Sequence, residues 1–170
     1  MNELPRIGLG IDVHRLSPGR ECMVAGVRFD ADMGPEGHSD GDAVLHAACD
    51  AVLGAAGLDD LGTLFSDRDP ANHGRASADF CRATMALVRE RGLRVVSMDC
   101  VLETEVPKLK PRRQAMREQL ATLFDLPIDR VNIKGKTGEK VDAIGRGEAM
   151  RATVVALLSA AAPKFERPTA

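Results

Sequence analysis

The sequence runs to 170 residues, the length of one domain with enough material for a real core. Its 44% hydrophobic and 28% charged residues are those of an ordinary globular chain, not a disordered or fibrous one. A formal charge of −2, with no Trp, no Tyr and five Phe, argues against both the basic stripe of a nucleic-acid binder and an aromatic platform for single strands.

The first residues show no basic-then-apolar signal pattern. No apolar run approaches the ~18–20 residues needed to cross a bilayer. Cys22, Cys49, Cys81 and Cys100 are scattered without a C-x-x-C pair, which suits small buried hydrophobes in a reducing compartment. The expectation is a cytoplasmic protein with no membrane partner.

In chain order, residues 6–14 read as a strand whose two glycines, Gly8 and Gly10, permit close backbone approach. Residues 22–29 are a second extended stretch, ending in a turn-rich segment over 30–37. A helix is expected to follow to about residue 56, with Ser39 as cap and Asp40 and Asp42 in its first turn, complementing the dipole. Residues 57–74, rich in Asp and Gly, predict a loop with one short helical turn. Phe80, Ala83, Thr84, Leu87 and Val88 recur at helical spacing and predict a helix over 77–91, stopped by Gly92. Residues 93–103 read as a strand. Pro111 suits the first turn of a helix reaching about residue 124, and the basic run 108–113 reads as its solvated start. A short strand begins at Val131. Over 149–162 Ala and Leu favour helix while Thr153-Val154-Val155 favours strand, so periodicity leaves the type open. The expected domain spans 1–162, and the polar tail 163–170 is expected to be disordered. Strands interleaved with helices give an α+β (α/β two-layer) single domain, a mixed sheet with helices on one face.

One group of residues carries chemistry. Asp12 and His14 are two apart on a strand and leave the same face. His38, Ser39, Asp40 and Asp42 precede His46 at the start of a helix, where free backbone N–H groups suit a phosphate. A carboxylate and two imidazoles with a fourth position open make a plausible catalytic zinc shell. Taken alone, a D-x-H on a strand is common, and His46 could equally be a packed helix histidine. Asp40 and Asp42 fit either partners that orient the histidines or acids that complement the helix dipole, with Asp42 favoured as a partner.

The ordered set of segments is more specific. Gly10-x-Asp12-Val13-His14 precedes His38-Ser39-Asp40-Gly41-Asp42-x-x-x-His46, then Asp60-x-Gly62-x-x-Phe65-x-Asp67-x-Asp69-Pro70. Pro107-Lys108, Lys136-Thr137-x-Glu139-Lys140 and Gly145-Arg146-Gly147-Glu148 complete it. This combination resembles the cyclodiphosphate synthase family of the non-mevalonate isoprenoid pathway over residues 6–158. The resemblance implies that 4-diphosphocytidyl-2-C-methyl-D-erythritol 2-phosphate is cyclised with release of CMP, on a homotrimer whose sites lie between subunits around a three-fold axis. It implies zinc on Asp12, His14 and His46, and Mg²⁺ or Mn²⁺ on Glu139. His38 and Thr137 match the transition-state stabilisers. Asp60 and Gly62 match ribose-binding positions, with Leu61 beside them, and Phe65, Ser66, Asp67, Arg68 and Asp69 match a mobile substrate loop. Thr104, Glu105, Val106, Pro107, Lys108, Leu109 and Lys110 resemble the cytidine pocket, supplied by the neighbouring subunit. Val13, Ser39, Lys136, Gly138, Ala143 and Arg146 complete the implied substrate contacts, and Arg146 is expected to pair with Glu148.

Three departures stand out: Ser66 replaces a proline in the loop, Lys136 adds a positive charge near the diphosphate, and Ala143 stands where an aromatic is common. Two rival readings stay open at this point, a zinc phosphoesterase using water and a cytidine-nucleotide-binding module without turnover.

Overall fold

The structure is a computed structural model that describes residues 4–37, 39–66 and 68–161. The expectations placed on His38, Asp67 and the tail 163–170 lie outside the described residues. The strands are β1 (Arg6–Pro18), β2 (Cys22–Val24), β3 (Val27–Phe29), β4 (Met33–Pro35), β5 (Leu93–Glu103), β6 (Val131–Lys136) and β7 (Ala149–Ala160). The helices are α1 (Ala43–Ala56), α2 (Leu61–Leu64), α3 (Ser77–Glu90), α4 (Arg113–Leu123) and α5 (Asp142–Gly145). Five strands form a mixed sheet in the order β4-β1-β7-β5-β6, with β5 and β6 parallel and the other pairs antiparallel. β2 and β3 make a separate hairpin.

β1 and β7 explain the core. Met150, Ala152, Val154, Ala156 and Leu158 alternate as buried residues along β7, which is flanked by β1 and β5. That period of two, with β-branched residues at its centre, settles the open assignment as strand, because a sheet with two buried neighbours rewards alternation over helix propensity. Eleven of the 14 residues of α1 are buried, so this helix is the centre of the helical layer and not an amphipathic cover. It lies against β1 so closely that a Cβ on Gly8 would stand 1.8 Å from the Ala51 carbonyl oxygen, and one on Gly10 2.0 Å from that of Ala47. Glycine is required at both positions, and small Ala47 and Ala51 supply the matching surface. All four cysteines are buried and free, as small hydrophobes.

Several local expectations are corrected. α1 begins after Asp42, not at Ser39: Gly41 adopts φ +70°, and the Asp42 carboxylate accepts from Leu45 N at 3.2 Å as the cap. Asp40 and Asp42 therefore lie before the first turn. The segment 30–37 contains β4, which pairs Leu16 with Pro35 and extends β1 past His14 to Pro18. The stretch 22–29 is a tight hairpin with Ala25 and Gly26 at positive φ. Pro111 sits in a 3₁₀ turn, Lys110–Arg112, that leads into α4. The loop 57–74 holds both α2 and a 3₁₀ turn, Pro70–Asn72. Among the described residues no helix is long and apolar enough to cross a membrane.

Candidate metal centre and its surroundings

Alternation along β1 sends Asp12 and His14 to the helix-facing side and Val13 to the other, where it is exposed. The glycine-mediated approach of α1 brings His46, in its first turn, onto the same spot. Asp12 Oδ2 lies 2.9 Å from His14 Nε2 and 3.1 Å from His46 Nδ1, and the two imidazole nitrogens are 3.3 Å apart. Ligand atoms around a tetrahedral cation with bonds near 2.0–2.1 Å stand roughly 3.3 Å from one another. One carboxylate oxygen and two imidazole nitrogens, each on a largely buried side chain, thus fit a small divalent cation in both chemistry and spacing.

The outer atoms of the ligands are also engaged. His14 Nδ1 faces the Glu36 carbonyl oxygen, which only accepts, so Nδ1 carries a proton and Nε2 is the nitrogen left to face a cation in place of the Asp12 carboxylate. His46 Nε2 faces Ser77 Oγ at 2.9 Å and Ser39 Oγ at 3.3 Å. Burial pushes the Asp12 carboxyl up, but hydrogen bonds and charge from His14 and His46 outweigh it and hold the group well below the usual carboxylate range. Burial lowers His14, and the Asp12 carboxylate reverses that into a net rise, so a proton and a cation compete for the same nitrogen.

The Asp42 side chain makes no hydrogen bond to either histidine, although the backbone carbonyl oxygen of the residue accepts from His46 N at 3.1 Å. The side chain is buried and accepts from Ala25 N at 2.8 Å, Gly26 N at 2.6 Å and Leu45 N, tying the β2–β3 turn to the start of α1. At the helix start the Asp42 carboxyl takes one backbone N–H group, that of Leu45. Burial and the nearby Asp40 charge push the Asp42 carboxyl up, against the pull of its three backbone donors.

Beside the cluster lies a cavity of about 340 Å³ lined by His14, Gly37, Ser39, His46, Leu61, Gly62, Phe65, Asn72 and Phe80. Four expected site residues, Ser39, Leu61, Gly62 and Phe65, meet the ligands there. Asp60 instead caps α2, accepting from Thr63 N at 2.7 Å, and the α2 start is also held by Asp50, which accepts from Leu61 N. Ser66 accepts from Arg68 N, and Asp69 caps the following 3₁₀ turn. The Arg75 guanidinium lies 4.8 Å over the ring of Phe80 and 5.6 Å over that of Phe65, two residues that line the cavity.

A second cavity, about 330 Å³, is lined by Thr104, Pro107, Lys108, Leu109, Lys110, Arg113, Met116, Ile133, Gly135, Lys136 and Thr137. Arg113, expected only as part of a solvated helix start, is one of its walls. Glu105 accepts from Gly138 N at 3.0 Å, and Thr137 Oγ1 donates to Glu139 at 2.6 Å. Val106 is exposed at the rim, Ala143 lies in α5, and Arg146 forms a two-pronged pair with Glu148 at 2.9 and 3.0 Å. The two cavities share no lining residue. Val13, Arg151, Glu103 and Lys136 form one register row across β1, β7, β5 and β6. Three strand spacings of about 4.8 Å put roughly 14 Å between the metal cluster's strand and Lys136.

Sequence reasoning missed Ser77, Phe80 and Arg75. Phe80 was visible only as an apolar helix position, and no local signal marks Ser77 as a neighbour of His46.

Comparison with known proteins agrees with this geometry. The model of the YgbB family matches residues 5–159. The 2-C-methyl-D-erythritol 2,4-cyclodiphosphate synthase of Burkholderia mallei (strain SAVP1) is 44% identical over 153 residues, 90% of this chain and 94% of that one. A solved cyclodiphosphate synthase, described as a bound form with CDP, is 42% identical with a TM-score of 0.85, covering 91% of this chain and all of that one. The bifunctional IspDF of Campylobacter jejuni superimposes with a TM-score of 0.89 at 37% identity, covering 94% of this chain and 43% of that one.

Proposed function

This chain belongs to the YgbB family, and we propose from that membership and from its site that it is a cyclising lyase of isoprenoid precursor biosynthesis. It converts 4-diphosphocytidyl-2-C-methyl-D-erythritol 2-phosphate into 2-C-methyl-D-erythritol 2,4-cyclodiphosphate and CMP. The observation that carries the reading is the convergence of Asp12, His14 and His46 beside a small apolar-walled cavity, in a chain whose likeness to these synthases spans nearly its whole length.

An oxygen of the 2-phosphate forms a bond to the β-phosphorus, and the bond from that phosphorus to the bridging oxygen breaks, the electron pair leaving on CMP. No protein nucleophile or base is required, because the attacking phosphate is already an anion. The task is to fold the substrate and to spread charge. Asp12, His14 and His46 hold zinc, which supplies a Lewis acid for a phosphate oxygen when bound. Asp60 and Gly62 bind the ribose, with Leu61 beside them, and the loop that carries Phe65, Ser66, Arg68 and Asp69 contacts the substrate. His38 and Thr137 stabilise the charge that develops in transfer. Glu139 serves a second divalent ion, Mg²⁺ or Mn²⁺. Residues 104–110, with Lys136, Gly138, Ala143 and Arg146, bind the cytidine diphosphate part.

These groups belong to two different subunits of a homotrimer, and the enzyme works in the cytoplasm. The separation of roughly 14 Å between the metal strand and Lys136 supports sites shared between chains. So does the outer face of β1, where Ile7, Leu9, Ile11 and Val13 are all more than half exposed beside Val155 of β7.

The test is phosphorus NMR of the purified protein with substrate, Zn²⁺ and Mg²⁺. Two coupled resonances of a cyclic diphosphate with free CMP are expected, with at least about 10³-fold loss of rate in His46→Ala. An open-chain bisphosphate would identify a hydrolase instead. Binding of CMP without any turnover would leave a nucleotide-binding module.

A further inference from the structure

His46 differs from His14 in what holds it. His14 leans on a backbone carbonyl, which can only accept, so its tautomer is decided by the fold. The outer nitrogen of His46 meets hydroxyls, which can donate or accept, and a hydroxyl alone decides nothing. Donation to Nε2 would put the proton on Nδ1, the atom that faces Asp12 and His14, and would spoil the ligand.

The structure resolves that ambiguity with a carboxylate. Ser77 Oγ, on a fully buried residue, lies 2.9 Å from His46 Nε2 and donates its one proton to Asp40 Oδ1. Asp40 also accepts from Ser77 N at 3.1 Å, so each of its oxygens holds the first residue of α3, and Oδ1 accepts from Asp42 N at 3.3 Å as well. Having given its proton to a carboxylate, the hydroxyl can only accept from the imidazole. We propose that Ser77 and Asp40 are positioning residues of the metal centre, a relay that fixes the proton of His46 on Nε2 and presents a bare Nδ1 to the cation. This rests on the reading of Asp12, His14 and His46 as the cation's ligands.

The relay also joins three parts of the molecule. Asp40 lies in the connection before α1, His46 on α1, and Ser77 at the start of α3, directly after the segment that carries Phe65 and Arg75. The Phe80 ring, one turn further along α3, meets the His46 ring edge-on at 6.3 Å between centroids. Ser77 thereby links the far anchor of the 65–76 segment to the orientation of a ligand, which a cap or a surface pair would not do. Ser39 Oγ, at 3.3 Å from the same nitrogen, is a longer second acceptor and has no carboxylate behind it.

The experiment uses the full chain. Competition with a chromophoric chelator reads the zinc dissociation constant, and long-range ¹⁵N–¹H correlation of the zinc-loaded protein reads the exchange of the His46 Nε2–H proton. In the unsubstituted protein Ser77 Oγ is expected to protect that proton from exchange. Ser77→Ala is expected to speed its exchange and to weaken zinc about 10–100-fold, the usual cost of losing an outer partner of a ligand histidine. Melting of the metal-free variant reports separately on whether it folds. Asp40→Asn, whose amide oxygen still accepts, loses less, and Ser39→Ala less than Ser77→Ala. Unchanged Nε2–H exchange and unchanged zinc affinity in Ser77→Ala would overturn the proposal, as would a larger loss in Ser39→Ala. Failure of the metal reading itself is distinguishable, because the unsubstituted protein would then take up no zinc.

Discussion

The two halves of the site are built differently. Around the metal cluster every ligand is largely buried and held from at least two elements: β1 carries Asp12 and His14, α1 carries His46, and Glu36, Ser39 and Ser77 close the outer side. Around the nucleotide cavity Thr137, Glu139 and Lys136 are exposed, and Glu139, Lys140 and Asp142 all adopt positive φ without being glycine. The first half is organised by one chain's own core. The second keeps polar groups on an open segment with positive φ at non-glycine residues, a conformation that clusters at active sites and ligand clamps. The metal cluster is complete within one chain, whereas the half proposed to bind the diphosphate stays open to solvent in it.

Mixing two inactive variants breaks or sharpens that contrast with the largest effect. His46→Ala removes the metal half and Glu139→Gln the other, and each alone is expected to lose most activity. Co-refolded in equal amounts as a trimer, about a quarter of the boundaries combine an intact metal half with an intact Glu139 from its neighbour, so roughly a quarter of the activity returns. If both halves act within one chain, the mixture stays as inactive as its parts.

The same contrast governs what the sequence discloses. Gly8 and Gly10 announce the close approach of a helix, and the two-residue spacing of Asp12 and His14 announces a shared face, because both depend on local geometry alone. The order of the motifs then identifies the family. Contacts made by folding are silent. Asp40 meets Ser77 across 37 positions, and Asp42 meets Ala25 and Gly26 across 17 and 16, so the sequence leaves these acids open between dipole chemistry and orienting the histidines when each has a distant partner. β4 is three residues long and contains Gly34 and Pro35, which speak for a turn, and only its pairing with the end of β1 makes it a strand.

A middle-sized effect is expected from Asp42, whose carboxylate holds the metal half together without touching it. Asp42→Ala strips three backbone N–H groups, two of them buried, of their acceptor and removes the α1 cap. The expected loss is roughly 2–4 kcal/mol in the metal-free protein, a fall of about 5–15 °C in melting temperature. Asp42→Asn, which keeps one acceptor oxygen, should lose less. The check is thermal unfolding with chelator present, followed by zinc titration of the folded fraction. Near-normal zinc binding with lowered stability would mark Asp42 as scaffold. Lost zinc affinity at unchanged stability would mean that it acts on the ligands after all.

The smallest effect belongs to Lys136, and it bears on the other half. The second cavity, proposed to take the nucleotide, is lined by Lys108, Lys110, Arg113 and Lys136 and by no carboxylate, so it presents a one-signed rim to an anionic substrate. Lys136 is solvent-exposed, and a single exposed charge at several ångströms from a phosphate contributes on the order of 0.5–1 kcal/mol. Lys136→Thr should therefore raise KM about two- to fivefold at low salt and leave kcat nearly unchanged. Raising the ionic strength to about 0.5 M, where screening acts within a few ångströms, should erase most of that difference. The sign and the salt dependence together are the signature of a steering charge. A loss that persists at high salt and appears in kcat would instead put the Lys136 ammonium in direct contact with the reacting diphosphate, and the open half of the site would then be as specifically built as the metal half.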